Sequence, residues 1–232
     1  MNQTLARSDV RVLIIEDHAL FAESLELALS LEGYNVRRCA PPTSGVSPGA
    51  MLAAAVRAKP RIALLDLDLG QYGDGARMIT PLVTAGAQVV VVTASADHPR
   101  WGECLRLGAR KVLAKTEPLN EILATVRRIN QGFPVLDRDE RDRLVRLWYD
   151  QHQEHRVMND RLTLLTPREG EVLGQLMRGY TVREIASASV VSEATVRTQV
   201  KSVLAKLEVS SQLAAVGMAH NLGWHPPLST AV

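Results

Sequence analysis

Short apolar runs alternate with helical patterns from residue 11 to about residue 130. Runs such as VLII, IALL and VVVV are apolar throughout, which is typical of strands buried on both faces of a parallel sheet. The pattern predicts strands at residues 11–15, 34–39, 61–65, 88–93 and 111–114. It predicts helices near residues 19–31, 50–58, 75–85, 99–107 and 117–130. Five alternating strands and helices indicate a doubly wound α/β domain with five parallel strands.

Two segments outside these units have distinct patterns. Residues 40–49 are rich in proline and glycine and predict a loop. Residues 138–156 predict a charged helix that follows Gly132 and Pro134. Its charges alternate in sign, which is typical of a solvated face, while Leu144, Val145, Leu147 and Trp148 form one apolar stripe that could rest on a domain.

Three helix starts follow each other between residues 165 and 207. Thr166 and Thr181 are each followed three residues later by glutamate, which is the capping-box pattern, and Ser192 caps a longer run from 193 to 207. Two short helices and a longer helix with a polar outer face predict an all-α helix-turn-helix domain, which places its second helix in the DNA major groove. A plain helical bundle is the alternative for the same caps. A last helix at 212–222 is expected to pack on this unit, with Trp224 covering its core.

Composition supports two domains with aliphatic cores. The chain has 232 residues, of which 46% are hydrophobic but only 4% aromatic. We expect a first domain at 10–130, a partly helical linker at 131–163 and a second domain at 164–226. Residues 164–232 contain six lysines and arginines and five glutamates, a net charge of +1. Any affinity for DNA therefore depends on where a few cations lie, and this favours binding by two copies.

The cysteines indicate a reducing compartment, and the first residues show no signal peptide pattern. Cys39 and Cys104 are the only cysteines and are far apart in the sequence, which argues against a disulfide framework. The first residues lack the apolar run of a signal peptide, and no segment has the length and hydrophobicity of a membrane span. We expect a cytoplasmic protein without a membrane partner.

Reactive side chains lie at or directly after the ends of four of the predicted strands. Glu16 and Asp17 follow the first strand, Asp66 the third, and Lys115 the fifth, while Thr93 ends the fourth. Because the carboxyl ends of parallel strands meet at one sheet edge, these groups are expected to converge. Three close carboxylates repel each other unless a cation such as Mg²⁺ neutralises them. A carboxylate held there can attack phosphorus and form an acyl phosphate, which lysine and threonine would stabilise.

The motifs IIEDH, ALLDLDL, VVTAS and VLAK resemble those of the receiver domain of two-component response regulators, over about residues 10–130. The resemblance implies a flavodoxin-like fold and identifies Asp66 as the phosphoacceptor. It implies a Mg²⁺ site formed by Glu16, Asp17, Asp66 and the backbone carbonyl of Asp68, with Thr93 and Lys115 as switch residues. A receiver promotes its own phosphotransfer and dephosphorylation but is otherwise no enzyme, and a sensor histidine kinase or a small phosphodonor would supply the phosphoryl group.

The second domain also resembles a known family. LTPRE, EIA, VSEATV and the ending KSVLAKL resemble the LuxR-type DNA-binding domain of NarL/FixJ response regulators, over about residues 165–224. The resemblance implies binding to double-stranded DNA, a homodimer in the active state and RNA polymerase as a further partner. The DNA contacts it implies are Arg197, Thr198, Lys201, Arg183 and Gln199, the last at a position where the family often has histidine.

The sequence departs from the receiver pattern at three positions, one of which is Thr116, where no proline follows Lys115. Val112 replaces the aromatic residue three positions before the lysine, and Gly70 replaces a proline four positions after the phosphoacceptor. These changes leave open an atypical regulator with the same DNA-binding function but control that is independent of phosphorylation. A Mg²⁺-dependent phosphotransferase is a further alternative, although the chain lacks a glycine-rich phosphate loop. His18 is interpreted as the start of a helix and Asp74 as a helix cap, and neither is assigned to the site.

Overall fold

The computed structural model describes residues 6–39 and 48–226, with the exception of the Pro48 side chain. Most of the loop predicted at 40–49 lies outside these residues, and its last two positions already belong to a helix. The chain divides after Tyr149 into two compact units. None of the helices in the described part is both long and apolar enough to cross a membrane.

The first unit contains a five-stranded parallel sheet in the order β2-β1-β3-β4-β5. The strands are β1 Arg11–Ile15, β2 Asn35–Arg38, β3 Ile62–Leu65, β4 Gln88–Thr93 and β5 Lys111–Ala114. The helices of this unit are α1 Ala19–Leu31, α2 Pro48–Arg57, α3 Ala76–Thr84, α4 His98–Arg106 and α5 Leu119–Asn130. The predicted α/β fold is therefore confirmed, with bounds that shift by at most two residues. α5 starts at Leu119 because Pro118 is its N-cap residue.

Aliphatic side chains fill both faces of the sheet. One core lies under α2, α3 and α4, and the other lies under α1 and α5. In the register of the sheet Ile15 and Val91 both lie opposite Leu65. This alignment brings the residues after β1 and β3, and the end of β4, to the same edge.

The linker forms a single helix, α6, over Arg138–Thr163. It continues seven residues beyond the predicted end at Arg156. Its apolar stripe rests on the first unit, as predicted: Leu144 is 3% exposed within the core under α2, α3 and α4, and Val145 and Leu147 pack against that core. At the other end of α6, Leu162 is buried in the core of the second unit.

The second unit contains four further helices, α7 Pro167–Met177, α8 Val182–Ala188, α9 Glu193–Leu207 and α10 Gln212–Asn221. Both predicted capping boxes are present, and the Ser192 hydroxyl accepts a hydrogen bond from the Thr195 amide at the start of α9. Val196, Val200, Val203 and Leu207 face the core from α9. Trp224 packs against the core that includes Leu162.

Candidate functional site

The predicted groups meet at the carboxyl edge of the sheet. The Asp66 amide donates to the Ile15 carbonyl at 2.9 Å, which fixes the end of β3 beside the end of β1. Glu16, Asp66 and Thr93 are 6%, 3% and 2% exposed, although all three are polar. Buried polar groups need partners to offset the loss of hydration.

Lys115 is the partner that Glu16 and Asp66 share. Its Nζ atom donates to Glu16 Oε1 at 2.8 Å and to Asp66 Oδ2 at 2.7 Å. The same atom lies 5.3 Å from the ring centroid of Phe21, which covers it from α1. One cation therefore bridges the residues that follow β1 and β3.

The neighbours set the pKa values of the cluster. Burial acts to raise the pKa of Glu16, but hydrogen bonds from Lys115 and from the His18 amide outweigh it and lower the pKa. At Asp66, burial together with the nearby charge of Glu16 outweighs the Lys115 hydrogen bond and raises the pKa. Burial would lower the pKa of Lys115, but the bonds to Asp66 and Glu16 raise it. Lys115 is therefore charged at neutral pH.

The same edge offers ligands for a cation. Glu16, Asp17, His18 and Asp66 each present one ligand atom, and these atoms lie within 4.8 Å of one another. Carboxylate oxygens are the ligands that Mg²⁺ prefers, so the three carboxylates of this set fit a small hard ion. Asp68 lies beside this group: its amide donates to Asp66 Oδ1 at 3.3 Å, and its own carboxylate accepts a bond from the Gly70 amide.

Two glycines shape the loop after β3. Gly70 has a φ of +56°, and a Cβ atom there would lie 3.2 Å from Asp17 Oδ2. Proline, whose φ is fixed near −65°, cannot adopt this conformation, so the loop as it stands excludes proline at position 70. At Gly75 a Cβ atom would overlap the Asp66 carbonyl oxygen. The loop thus passes directly over the backbone of Asp66.

Thr93 connects the cluster to α4. Its Oγ1 atom accepts a hydrogen bond from the Ser95 amide at 3.1 Å, and the Ser95 carbonyl accepts one from Trp101 Nε1 at 2.9 Å. Thr93, Asp66 and Lys115 line a cavity of about 480 Å³. The cluster therefore opens onto a space that a phosphoryl group could enter.

The structure adds two residues to this site that the sequence interpretation omitted. His18 is the N-cap residue of α1, as expected, but its Nδ1 atom also lies 3.0 Å from Glu16 Oε1 and 2.9 Å from Asp17 Oδ1.

Arg100 lines the cavity from α4 and forms an ion pair with Asp74. Asp74 accepts a hydrogen bond from the Ala76 amide just before α3, whose N-cap residue is Gly75, so the predicted cap role of Asp74 is wrong and its side chain instead joins this turn to Arg100. The position of His18 directly after Asp17 was the available signal, whereas nothing local marks Arg100.

The predicted DNA contacts differ in exposure. Arg197, Thr198 and Lys201 are exposed on α9, and Arg183 is exposed on α8. Arg197 pairs with Glu193 at 3.2 Å, and the Thr198 hydroxyl donates to the Ala194 carbonyl. Gln199 is only partly exposed, and its Oε1 atom is buried without a hydrogen-bond partner among the described residues.

A buried carboxylate joins α7 to α9. Glu169 is 7% exposed and accepts bonds from Lys206 Nζ at 2.7 Å, from Ser202 Oγ at 2.5 Å and from the Thr166 amide at 2.7 Å. Burial opposes its ionisation, but these bonds prevail and lower the pKa of Glu169 to about 2. Lys206 is thus part of the fold. Only the capping role of Glu169 was visible in the sequence.

Comparisons with known proteins agree with both domains. A family model described as the response regulator receiver domain matches residues 12–127, and one described as bacterial regulatory proteins of the luxR family matches residues 163–219. The response regulator protein VraR of Staphylococcus aureus is 29% identical over 217 residues, which cover 92% of this chain and 98% of that protein.

Solved structures of related proteins are also similar. A complex of the two-component response regulator RcsB with DNA aligns with 91% of this chain and 98% of its own, at 21% identity and a TM-score of 0.48. The receiver domain of a NarL response regulator from Mycobacterium tuberculosis covers 53% of this chain and 97% of its own, at 28% identity and a TM-score of 0.45. From the two family matches and the sheet, the chain belongs to the two-component response regulators of NarL/FixJ type, with a receiver domain followed by a LuxR-type DNA-binding domain.

Proposed function

We propose that phosphorylation of Asp66 controls dimerisation of this regulator and its activity as a transcription factor. The observation that carries the proposal is the Lys115 ammonium group between Asp66 and Glu16, because it holds a buried nucleophile beside a fixed cation. The proposed domain limits are 10–130 for the receiver, 131–163 for the linker and 164–226 for the DNA-binding domain.

In the proposed reaction an oxygen of Asp66 attacks the phosphorus atom of a phosphohistidine on a sensor kinase or of a small acyl phosphate. The new O–P bond forms as the bond to the leaving group breaks, and the leaving group departs with the electron pair. Lys115 then exchanges its contact with Asp66 for one with a phosphoryl oxygen, and the Thr93 hydroxyl donates to another. Both groups are already fixed at the cavity, so the charge that develops meets preorganised partners.

Mg²⁺ is the proposed cofactor. Glu16, Asp17 and Asp66 would hold it through carboxylate oxygens, with the carbonyl of Asp68 as a further ligand. When bound, the ion would neutralise the carboxylates and the phosphoryl oxygens. Lys115 alone leaves one negative charge of the Glu16–Asp66 pair uncompensated, and Asp17 adds a further carboxylate that forms an ion pair with His18.

For the second domain we propose that α9 enters the major groove. Arg197 and Lys201 can reach guanine acceptors, and the Thr198 methyl group can meet thymine. Arg183 would contact phosphate at the start of α8, and Gln199 would contribute only through the part of its amide that is not buried. Since so few cations are available per copy, two copies on a two-fold related site are the proposed active form, with RNA polymerase as a further partner.

Acetyl phosphate with Mg²⁺ tests the phosphoacceptor directly. The full-length protein is incubated with the donor and separated on a phosphate-affinity gel, next to Asp66→Asn and the control Asp74→Asn, which removes a carboxylate from the same cavity. We expect the wild type and Asp74→Asn to take up phosphate and Asp66→Asn to take up none. Equal uptake by Asp66→Asn would overturn the assignment.

A second candidate is a regulator with the same DNA-binding function that responds to a protein contact or ligand. Val112 favours it, because this residue is 7% exposed within an aliphatic core and cannot act as an aromatic switch. A beryllofluoride complex formed with Mg²⁺ separates the candidates. It should change the oligomeric state of a phosphorylation-controlled receiver and leave that of the second candidate unchanged.

A further inference from the structure

Within the first turns of α6, the backbone of Leu144 contacts the backbone of α4 at Gly102. At Gly102 of α4, a Cβ atom would overlap the carbonyl oxygen of Leu144 and would lie 3.1 Å from Trp148 Cβ. Gly102 is buried, and Leu144 is buried in the core below it. The Leu144 carbonyl approaches Gly102 so closely that a side chain on Gly102 would have no room at this point. A displacement of α4 towards α6 must therefore move α6 with it or separate the helices, because the two backbones are already in contact.

The same segment of α6 holds the end of α4. Arg141 Nη2 donates to the Leu105 carbonyl at 2.8 Å, near the end of α4, where the same carbonyl also accepts a hydrogen bond from the Gly108 amide. The Arg106 guanidinium lies 4.2 Å from the centroid of the Trp148 ring. Residues 138–149, which we call the docked segment, are thus attached to α4 by a backbone contact, a hydrogen bond and a cation–π contact.

The opposite end of α4 is attached to the candidate phosphorylation site. Ser95 is bonded to Thr93 through its amide and to Trp101 through its carbonyl, and Trp101 directly precedes Gly102. Arg100 extends from the same turn to Asp74 at the cavity. A rotation of the Thr93 hydroxyl towards a phosphoryl group would disturb its bond with the Ser95 amide. Such a rotation would therefore act on the turn of α4 that carries Gly102.

We propose that the docked segment is the element that reads phosphorylation, in place of an aromatic residue on β5. Phosphorylation shifts α4. Because the backbones of Gly102 and Leu144 are already in contact, this shift breaks the contact and residues 138–149 separate from α4. The helix that is released continues to Leu162 in the core of the DNA-binding domain, so its release changes the link between the two functions. This inference rests on the proposed function, because the shift of α4 begins at phosphorylated Asp66.

Hydrogen exchange of the full-length protein tests the release. The exchange rate of peptides within residues 138–149 is measured with and without acetyl phosphate and Mg²⁺, and phosphate uptake is measured on the same samples. We expect exchange in the docked segment to rise at least about tenfold on phosphorylation, and not in Asp66→Asn. If phosphate is taken up and exchange stays unchanged, the inference is wrong and the proposed function stands. If the wild type takes up no phosphate, the proposed function fails and the inference with it.

Variants at the contact separate it from the phosphorylation chemistry. Gly102→Ala should raise exchange in the docked segment without any donor while Asp66 still takes up phosphate. Gly217→Ala is the matched control, because Gly217 is also helical and nothing lies within 4 Å of the added Cβ. Trp148→Ala removes only side-chain contacts between α6 and α4. It should therefore raise exchange in the docked segment less than Gly102→Ala does. Normal protection of the segment in folded Gly102→Ala would overturn the proposal.

Discussion

The Nζ atom of Lys115 lies 2.7 Å from Oδ2 of Asp66, and the same ammonium group lies 2.8 Å from Oε1 of Glu16. Lys115→Met therefore leaves two buried carboxylates without their cation. We expect it to lower the free energy of unfolding of the receiver by about 3–5 kcal/mol. If Mg²⁺ binds these carboxylates as proposed, the ion should restore more stability to the variant than to the wild type. Urea unfolding with and without Mg²⁺ measures both effects.

Lys111→Met is the control for this experiment. Lys111 is at the opposite end of β5 and is only partly buried, so its removal should cost little and should not change the response to Mg²⁺. Equal losses of stability in the two variants would contradict the bridging role of Lys115. So would a Lys115→Met protein whose stability does not change with Mg²⁺.

An aromatic residue at position 112 should not repair the receiver pattern. Val112 is 7% exposed in the core that α6 also covers, so Val112→Tyr adds volume where none is free. We expect a loss of about 1–3 kcal/mol in the free energy of unfolding, from thermal or urea unfolding, and no gain in the response to acetyl phosphate. Val112→Ile is the conservative control and should cost less. A stable Val112→Tyr protein with an enhanced response would show that the position still functions as a switch.

Two lysines on α9 should have separable effects. Lys201 is exposed, whereas Lys206 is bonded to Glu169 and to the Leu164 carbonyl. With a DNA site selected by the protein, Lys201→Ala should weaken binding by about 1–3 kcal/mol and reduce the slope of affinity against salt by about 1. Lys206→Ala should lower the stability of the DNA-binding domain and leave the salt slope unchanged. The opposite assignment of the two effects would contradict the orientation of α9.

Glu169 should make the stability of the DNA-binding domain depend on acid pH. Its pKa is lowered from 4.5 to about 2 in the folded protein, so its contribution is complete above pH 4.5 and is lost as the pH falls towards 2. We expect Glu169→Gln to lower the free energy of unfolding by roughly 2–3 kcal/mol at neutral pH. Below about pH 4 the difference in stability between this variant and the wild type should become smaller. Urea unfolding of both proteins, with hydrogen exchange in α7 and α9 as the readout, measures this difference in stability. A difference that is constant with pH would contradict the ionised network.

The sequence predicted the strand ends well because one strong pattern determines them. Continuous apolar runs locate β1, β3 and β4, and the polar residue after each run then has to lie at the sheet edge. Helix α6 was predicted too short because its solvated second half has no apolar stripe and no cap that marks an end. Such polar helices give no periodic signal.

Contacts between distant segments could not be predicted from local pattern. Glu169 and Lys206 are 37 positions apart and meet only because α7 packs on α9. The backbone contact of Gly102 with Leu144 has the same origin, since a glycine within a helix gives no indication of what approaches it. The buried amide oxygen of Gln199 shows that a polar residue on a predicted outer face need not point outwards.

The affinity for DNA as a function of the phosphodonor tests the central claim most directly. Fluorescence anisotropy with a labelled DNA site is measured for the wild type and for Asp66→Asn, each with and without acetyl phosphate and Mg²⁺. We predict that the donor tightens binding by the wild type by about 5- to 150-fold and leaves Asp66→Asn unchanged. Tightening of the same size in Asp66→Asn, or no response in a wild type that carries phosphate, would contradict control through Asp66.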